Sequence, residues 1–200
     1  MRTAQTDSPT KEKLLDAAER IMLSKGYAAT TIDDICASAG LTKGSFFHYF
    51  ESKEALGKAV LERYCLSRLR KTQEAGFHKK SDPLQRVMGY IDFAIDASQD
   101  PAHKGCLLGN FAQELSETHP EIRAICKERF GTWAEGFKKD LNEAKRRRVP
   151  KASFDAESLG EYFIAVLEGS LILAKVQRRS GVVEKNLLHF KEYLKSLFEK

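Results

Sequence analysis

Thr42, Lys43, Ser45, His48 and Tyr49 fall in one short segment, and each side chain carries a group able to donate a hydrogen bond. Phe46 and Phe50 stand four apart among them, a spacing that turns both rings to one side of a helix and leaves the donors on the other. A helix face lined with donors suits an acceptor-rich surface such as the phosphates and base edges of duplex DNA. Cys106 is a second place where chemistry could occur, in Lys104-Gly105-Cys106-Leu107-Leu108-Gly109-Asn110. Placed just inside a helix start and close to a lysine, its thiol would be drawn toward thiolate, the reactive form.

The donor-bearing segment must be held by its neighbours, because a helix of two turns is not stable alone. The stretch before it supplies one support. Thr31 can cap a helix with Asp34 three positions on, and Ile32, Ile35, Cys36 and Ala39 then make one apolar stripe. Gly40 can stop that helix, and Thr42 can cap the next. Two short helices joined by a tight turn are the arrangement of a helix-turn-helix, whose second helix enters the DNA major groove. Ser8-Pro9 opens an earlier helix, in which Leu14, Ala18, Ile21 and Met22 form the wall behind the pair until Gly26 ends it. The residues before it read as a polar leader. Ser52 caps a fourth helix that runs into the region of Arg70, with Lys53 in its first turn where an anion would be favoured.

The run Gly40-Leu41-Thr42-Lys43-Gly44-Ser45-Phe46-Phe47-His48-Tyr49-Phe50, followed by Ser52-Lys53-Glu54-Ala55-Leu56, resembles the DNA-binding domain of the TetR family of bacterial transcriptional regulators. The likeness extends back to about Lys11. It implies that Thr42, Lys43, Ser45, Phe47 and His48 lie on the recognition surface, with Lys43 donating to guanine and Phe47 touching a thymine methyl. Thr31, Tyr49 and Lys53 would meet phosphate. Phe47 departs from the family's usual tyrosine, so an apolar contact replaces a polar one there.

The resemblance also implies a plan for the whole chain: a DNA-binding domain over residues 1–52 and an effector-binding and dimerisation domain over 53–200. The last two helices of the family pair across a two-fold axis, and a homodimer so built reads a palindromic operator. The body encloses a small-molecule effector. The lining candidates are Met88, Ile91, Cys106, Asn110, Phe111, Gln113, Trp133, Phe137, Phe163, Leu167 and Glu168. The Gly-Cys-Leu segment, with Ala174-Lys175, is similar to a subgroup of repressors that sense electrophiles and oxidants. Cys106 would then be the switch and Lys175 the cation that stabilises its thiolate.

Composition sets the outer bounds. The chain has 200 residues, 42% of them hydrophobic, a net charge of +5 and a pI of about 8.9. That suffices for a good core and is compatible with nucleic acid without being diagnostic of it. No apolar run approaches membrane-spanning length and the N-terminus lacks a signal peptide's apolar centre, so a cytoplasmic protein is expected. Cys36, Cys65, Cys106 and Cys126 are widely spread, with no spacing for zinc, and are expected as free thiols. No metal or cofactor is implied.

Beyond the fourth helix, polar residues 76–82 read as a loop. Helices then open at Asp82-Pro83, between His103 and Gly105, at His119-Pro120, near Asp155 and near Val183. Strand-like alternation is missing, so the fold class is all-α with about nine helices. Gly160, Ala165, Gly169, Ser170 and Ala174 would let the last two helices approach a partner closely. Lys145-Arg146-Arg147-Arg148 reads as a solvated helix end and not as a second nucleic-acid patch. Two other classes fit the residues less well: an all-α enzyme with Cys106 as nucleophile, and a helical scaffold that dimerises without reading DNA.

Overall fold

Ser8 opens the first helix, its hydroxyl accepting the N–H of Thr10 while Pro9 takes the position where a missing N–H does no harm. The computed structural model describes residues 8–100, 105–179 and 181–199. Among these, all regular structure is helical: α1 Pro9–Lys25, α2 Ile32–Ala39, α3 Lys43–Tyr49, α4 Lys53–Glu74, α5 Pro83–Gln99, α6 Leu107–Leu115, α7 Pro120–Arg148, α8 Ala156–Gln177 and α9 Gly181–Phe198. A 3-10 turn, Gly76–Lys79, lies within the segment expected as loop. The all-α expectation therefore stands.

Two local expectations are corrected. Helix α4 continues past Arg70 to Glu74. Helix α6 starts at Leu107, so Cys106 is its N-cap and lies outside the first turn. The polar leader (residues 1–7) and the His103 and Lys104 named above lie outside the described residues.

The chain forms two compact units. The first holds α1, α2, α3 and α4 as far as Arg68, together with Cys106–Cys126, which carries α6 and the start of α7. Leu14, Ala18, Met22, Ile35, Phe46, Leu56, Leu61, Leu107 and Phe111 are its fully buried core. Arg63 of α4 fastens the outer face of α1 by meeting Glu12 at 2.9 Å, Asp16 at 2.8 Å and Glu19 at 3.0 Å. Those acids recur at helical spacing, so one guanidinium reaches all three.

The second unit comprises Leu69–Gly105 and Lys127–Lys200. Ile91, Phe137, Leu141, Phe163, Leu187, Phe190 and Leu194 form its centre, where Phe137 and Phe163 stack with centroids 4.8 Å apart. Ser170 is buried between α8 and α9 at little penalty, because its hydroxyl donates to the Val166 carbonyl and accepts from Asn186 at 3.0 Å. The basic end of α7 is occupied structurally. Lys145 donates to the Phe154 carbonyl, Arg147 pairs with Glu143, and Arg148 pairs with Asp82.

Candidate nucleic-acid interface and thiol site

Helix α2 begins with a reciprocal cap. Thr31 Oγ1 accepts the Asp34 N–H at 3.1 Å, and the Asp34 carboxylate accepts the Thr31 N–H at 2.9 Å. Lys25 adds an ion pair at 2.7 Å, and this partner more than any other holds the Asp34 carboxyl well below the usual carboxylate range. Gly40 takes the left-handed conformation (φ 65°, ψ 36°), which turns the chain sharply without a Cβ penalty. Thr42 caps α3 by accepting the Ser45 N–H at 3.2 Å.

The outcome is a short helix with two distinct faces. Phe46 is 0% and Phe50 5% exposed, whereas Phe47 on the opposite side is 55% exposed. Thr42, Lys43 and His48 are exposed beside it, and Ser45 is half-buried. Lys43 rests on Asp33 at 2.9 Å, and with both side chains largely in water this pair is readily exchanged for a phosphate or base. Tyr49 turns its hydroxyl toward Ser8, 2.8 Å away, which ties α3 to the start of α1.

Lys53 points inward. Its ammonium donates to the carbonyls of Tyr27 at 3.1 Å and Thr30 at 3.0 Å, and lies 4.3 Å from the centre of the Tyr27 ring. Burial lowers its pKa, with Glu114 opposing the shift. Glu114, on α6, grips the same α1–α2 connection from its donor side, accepting from Tyr27 N at 3.2 Å and Ala28 N at 2.9 Å. Gly26 has φ 87°, and a Cβ there would run into the Glu114 carboxylate. Tyr27 completes the joint by meeting Phe111 edge-on at 5.5 Å. Residues 26–30 are thus held between a carboxylate and an ammonium from two other helices.

Cys106 sits at the N-terminus of α6, its sulfur accepting the Gly109 N–H at 3.5 Å. Tyr64 of α4 lies beside Cys106 and Arg68. Burial pushes the Tyr64 phenol pKa upward. Arg68 also lies over the Tyr64 ring at 5.3 Å.

The effector candidates fall in different places. Phe111 is fully buried against Tyr27 in the first unit, where Asn110 is half-buried and Gln113 exposed on α6. Ile91, Phe137, Phe163 and Leu167 belong to the core of the second unit, with Met88 and Trp133 partly buried against it. Glu168 is half-buried on α8, and Lys175 is exposed in that helix's last turn. Sequence reasoning missed Glu114, Tyr64 and Arg68. No local signal marks a carboxylate such as Glu114, whose hydrogen bonds run to backbone N–H groups far away in sequence.

Residues 14–60 match the family described as bacterial regulatory proteins, tetR family, and residues 83–190 match the tetracyclin repressor-like C-terminal domain. The chain belongs to the TetR family. The HTH-type transcriptional repressor DhaR of Mycobacterium sp. (strain GP1) is 30% identical over 90% of this chain and 89% of its own length. The transcriptional repressor NemR of Escherichia coli K12 is 26% identical over 94% of this chain and 96% of its own. The crystal structure of a regulatory protein TetR from Rhodobacter sphaeroides superposes with a TM-score of 0.82 at 27% identity, covering 92% of this chain and 98% of that one. As a TetR-family member the chain is a DNA-binding regulator of transcription and not an enzyme, which sets aside both the thiol-enzyme and the scaffold readings. Among the described residues no helix is long and apolar enough to cross a membrane.

Proposed function

We propose that this TetR-family protein is a cytoplasmic homodimeric repressor that reads a palindromic operator with α3 and releases it when Cys106 is modified or a small molecule binds the C-terminal body. The observation that carries the reading is the division of α3. Its apolar side is locked by Phe46, and Thr42, Lys43, Ser45, Phe47 and His48 stand on the side left to a partner. Lys43 donates to guanine, Phe47 packs on a thymine methyl, and Thr31, Tyr49 and the third N–H of Lys53 meet phosphate.

Dimerisation is supported by α8 and α9. Ile172, Leu173 and Leu188 are close to half exposed and Val176 is 77% exposed, an apolar surface that a second copy would cover. Two recognition helices related by symmetry then read two half-sites. The division of labour is a reading segment over 1–52 and a regulatory and dimerisation segment over 53–200. Effector contacts are assigned to Met88, Ile91, Trp133, Phe137, Phe163, Leu167 and Glu168 in the second unit, and to Asn110, Phe111 and Gln113 on α6.

The thiol switch is supported by the position of Cys106 at the N-terminus of α6, where its sulfur accepts the Gly109 N–H. The test starts from a palindromic duplex that wild type enriches from a random-sequence DNA pool. Binding is measured before and after addition of a maleimide, which a thiolate attacks across its double bond. Loss of binding in wild type but not in Cys106→Ser is expected. Equal retention in both would remove the thiol switch and leave the non-covalent effector.

A further inference from the structure

Arg129 and Trp133 stand one turn apart on α7, in the second unit. Arg129 Nε and Trp133 Nε1 are both buried, and neither meets a hydrogen-bond acceptor among the described residues. The Arg129 guanidinium has a neighbour at its other end, Glu128, at 3.7 Å. Buried polar groups in folded chains are nearly always paired, so two orphaned donors on adjacent turns mark a place built for an acceptor. Positions i and i+4 bring the two groups onto one face, roughly 6 Å apart at their Cβ atoms.

The surroundings narrow the chemistry. Phe130 lies nearly parallel to Trp133, with centroids 6.2 Å apart and planes at 10°, and Phe163 of α8 meets Trp133 edge-on at 6.1 Å. Both orphaned groups can only donate, so the ligand atoms facing them must only accept. One donor belongs to a permanent cation, which favours an anionic acceptor with two oxygens over a neutral carbonyl. Phenyl and indole rings beside it favour an apolar or planar remainder.

We infer that the effector of this regulator is a small apolar monocarboxylate, its carboxylate held by Arg129 Nε and Trp133 Nε1 and its body against Phe130 and Phe163. The inference rests on the effector reading above and assigns that effector a chemical class and a contact, Arg129, that the sequence did not mark.

Trp133 is the single tryptophan of the chain, so its fluorescence reports this site alone. The full-length dimer is titrated with straight-chain carboxylates from acetate to octanoate and with benzoate, each beside its primary amide. A saturable change in Trp133 emission with at least one carboxylate is expected, with its amide at least tenfold weaker. Arg129→Gln should erase that preference while leaving the melting temperature unchanged. Equal binding of acid and amide would overturn the inference, as would no saturable response to any member, in which case the two donors are satisfied by solvent. Wild-type binding to the enriched palindrome is measured in parallel. If DNA is bound and a maleimide releases it while no carboxylate is bound, the carboxylate inference falls and the regulator reading stands. If no duplex is enriched, that reading falls first and takes the inference with it.

Discussion

Glu114 of α6 and Ala28 of the α1–α2 connection are joined by a 2.9 Å hydrogen bond from the Ala28 N–H to the carboxylate. The same carboxylate takes the Tyr27 N–H at 3.2 Å, while Lys53 holds the carbonyls of Tyr27 and Thr30 from the start of α4. Thr31, the cap of α2, follows directly. The helix that opens at Cys106 therefore closes on the segment that sets where α2 and α3 begin.

Removing the carboxylate should loosen that segment. Glu114→Ala is expected to lower stability by about 1 kcal/mol, since solvent recovers part of each lost charged hydrogen bond. It should also weaken DNA binding, and Glu114→Gln, which keeps one acceptor, should fall between. Thermal unfolding and duplex binding of the three proteins check this. Unchanged DNA affinity in Glu114→Ala would show that the connection holds its place without α6.

Lys53 is asked to do two things, and they separate experimentally. Its carbonyl contacts predict a lower melting temperature for Lys53→Ala. Its third N–H predicts that the slope of log K against log salt becomes less steep by about 1.8, the value for two phosphate contacts, one from each protomer of the dimer. A melting change with an unaltered slope would confine Lys53 to the fold.

The dimer face is best tested without cutting the chain, because Val183, Leu187, Phe190 and Leu194 of α9 belong to the core of its own protomer. Leu173→Glu combined with Val176→Glu places charge on exposed positions only. Sedimentation should then show a monomer with the helical content of wild type and with operator binding lost. A double variant that remains dimeric would place the interface elsewhere.

The cap of α2 carries a pH dependence. The Asp34 carboxyl is held below its usual range, chiefly by Lys25 and then by the Thr31 N–H. A folded-state pKa below the unfolded one contributes stability that is complete above the unfolded value, about 3.9, and is lost as pH falls through the folded value. Asp34→Asn should therefore melt below wild type near pH 7, with the gap closing in acid. A gap that stays constant down to about pH 3 would contradict the cap's ionic character.

Much of this was legible in the sequence because it is local. The Thr31–Asp34 cap, the Gly40 turn and the inward Phe46 and Phe50 follow from spacing within a turn or two. Lys53 shows the limit: its place at a helix start was readable, but the carbonyls of Tyr27 and Thr30 that draw it inward come from a distant loop. Glu114 reaches back 86 positions to Ala28, and its targets are backbone groups that every residue except proline possesses. Cys106 was placed one step too far into its helix, since a thiol is not among the usual caps. Phe111 and Phe163 were indistinguishable as apolar residues, yet one packs on Tyr27 and the other on Phe137.

The most direct test of the account is equilibrium binding of wild type and Lys43→Ala to the enriched palindrome and to single-base variants of it, across a salt series. Wild type should bind as a dimer, with log K falling linearly as log salt rises. Lys43→Ala should lose discrimination at one symmetric base position, worth about 1–3 kcal/mol, and keep it elsewhere. Salt-indifferent binding, or a variant that discriminates all positions as wild type does, would contradict the assignment of α3 as the helix that reads DNA.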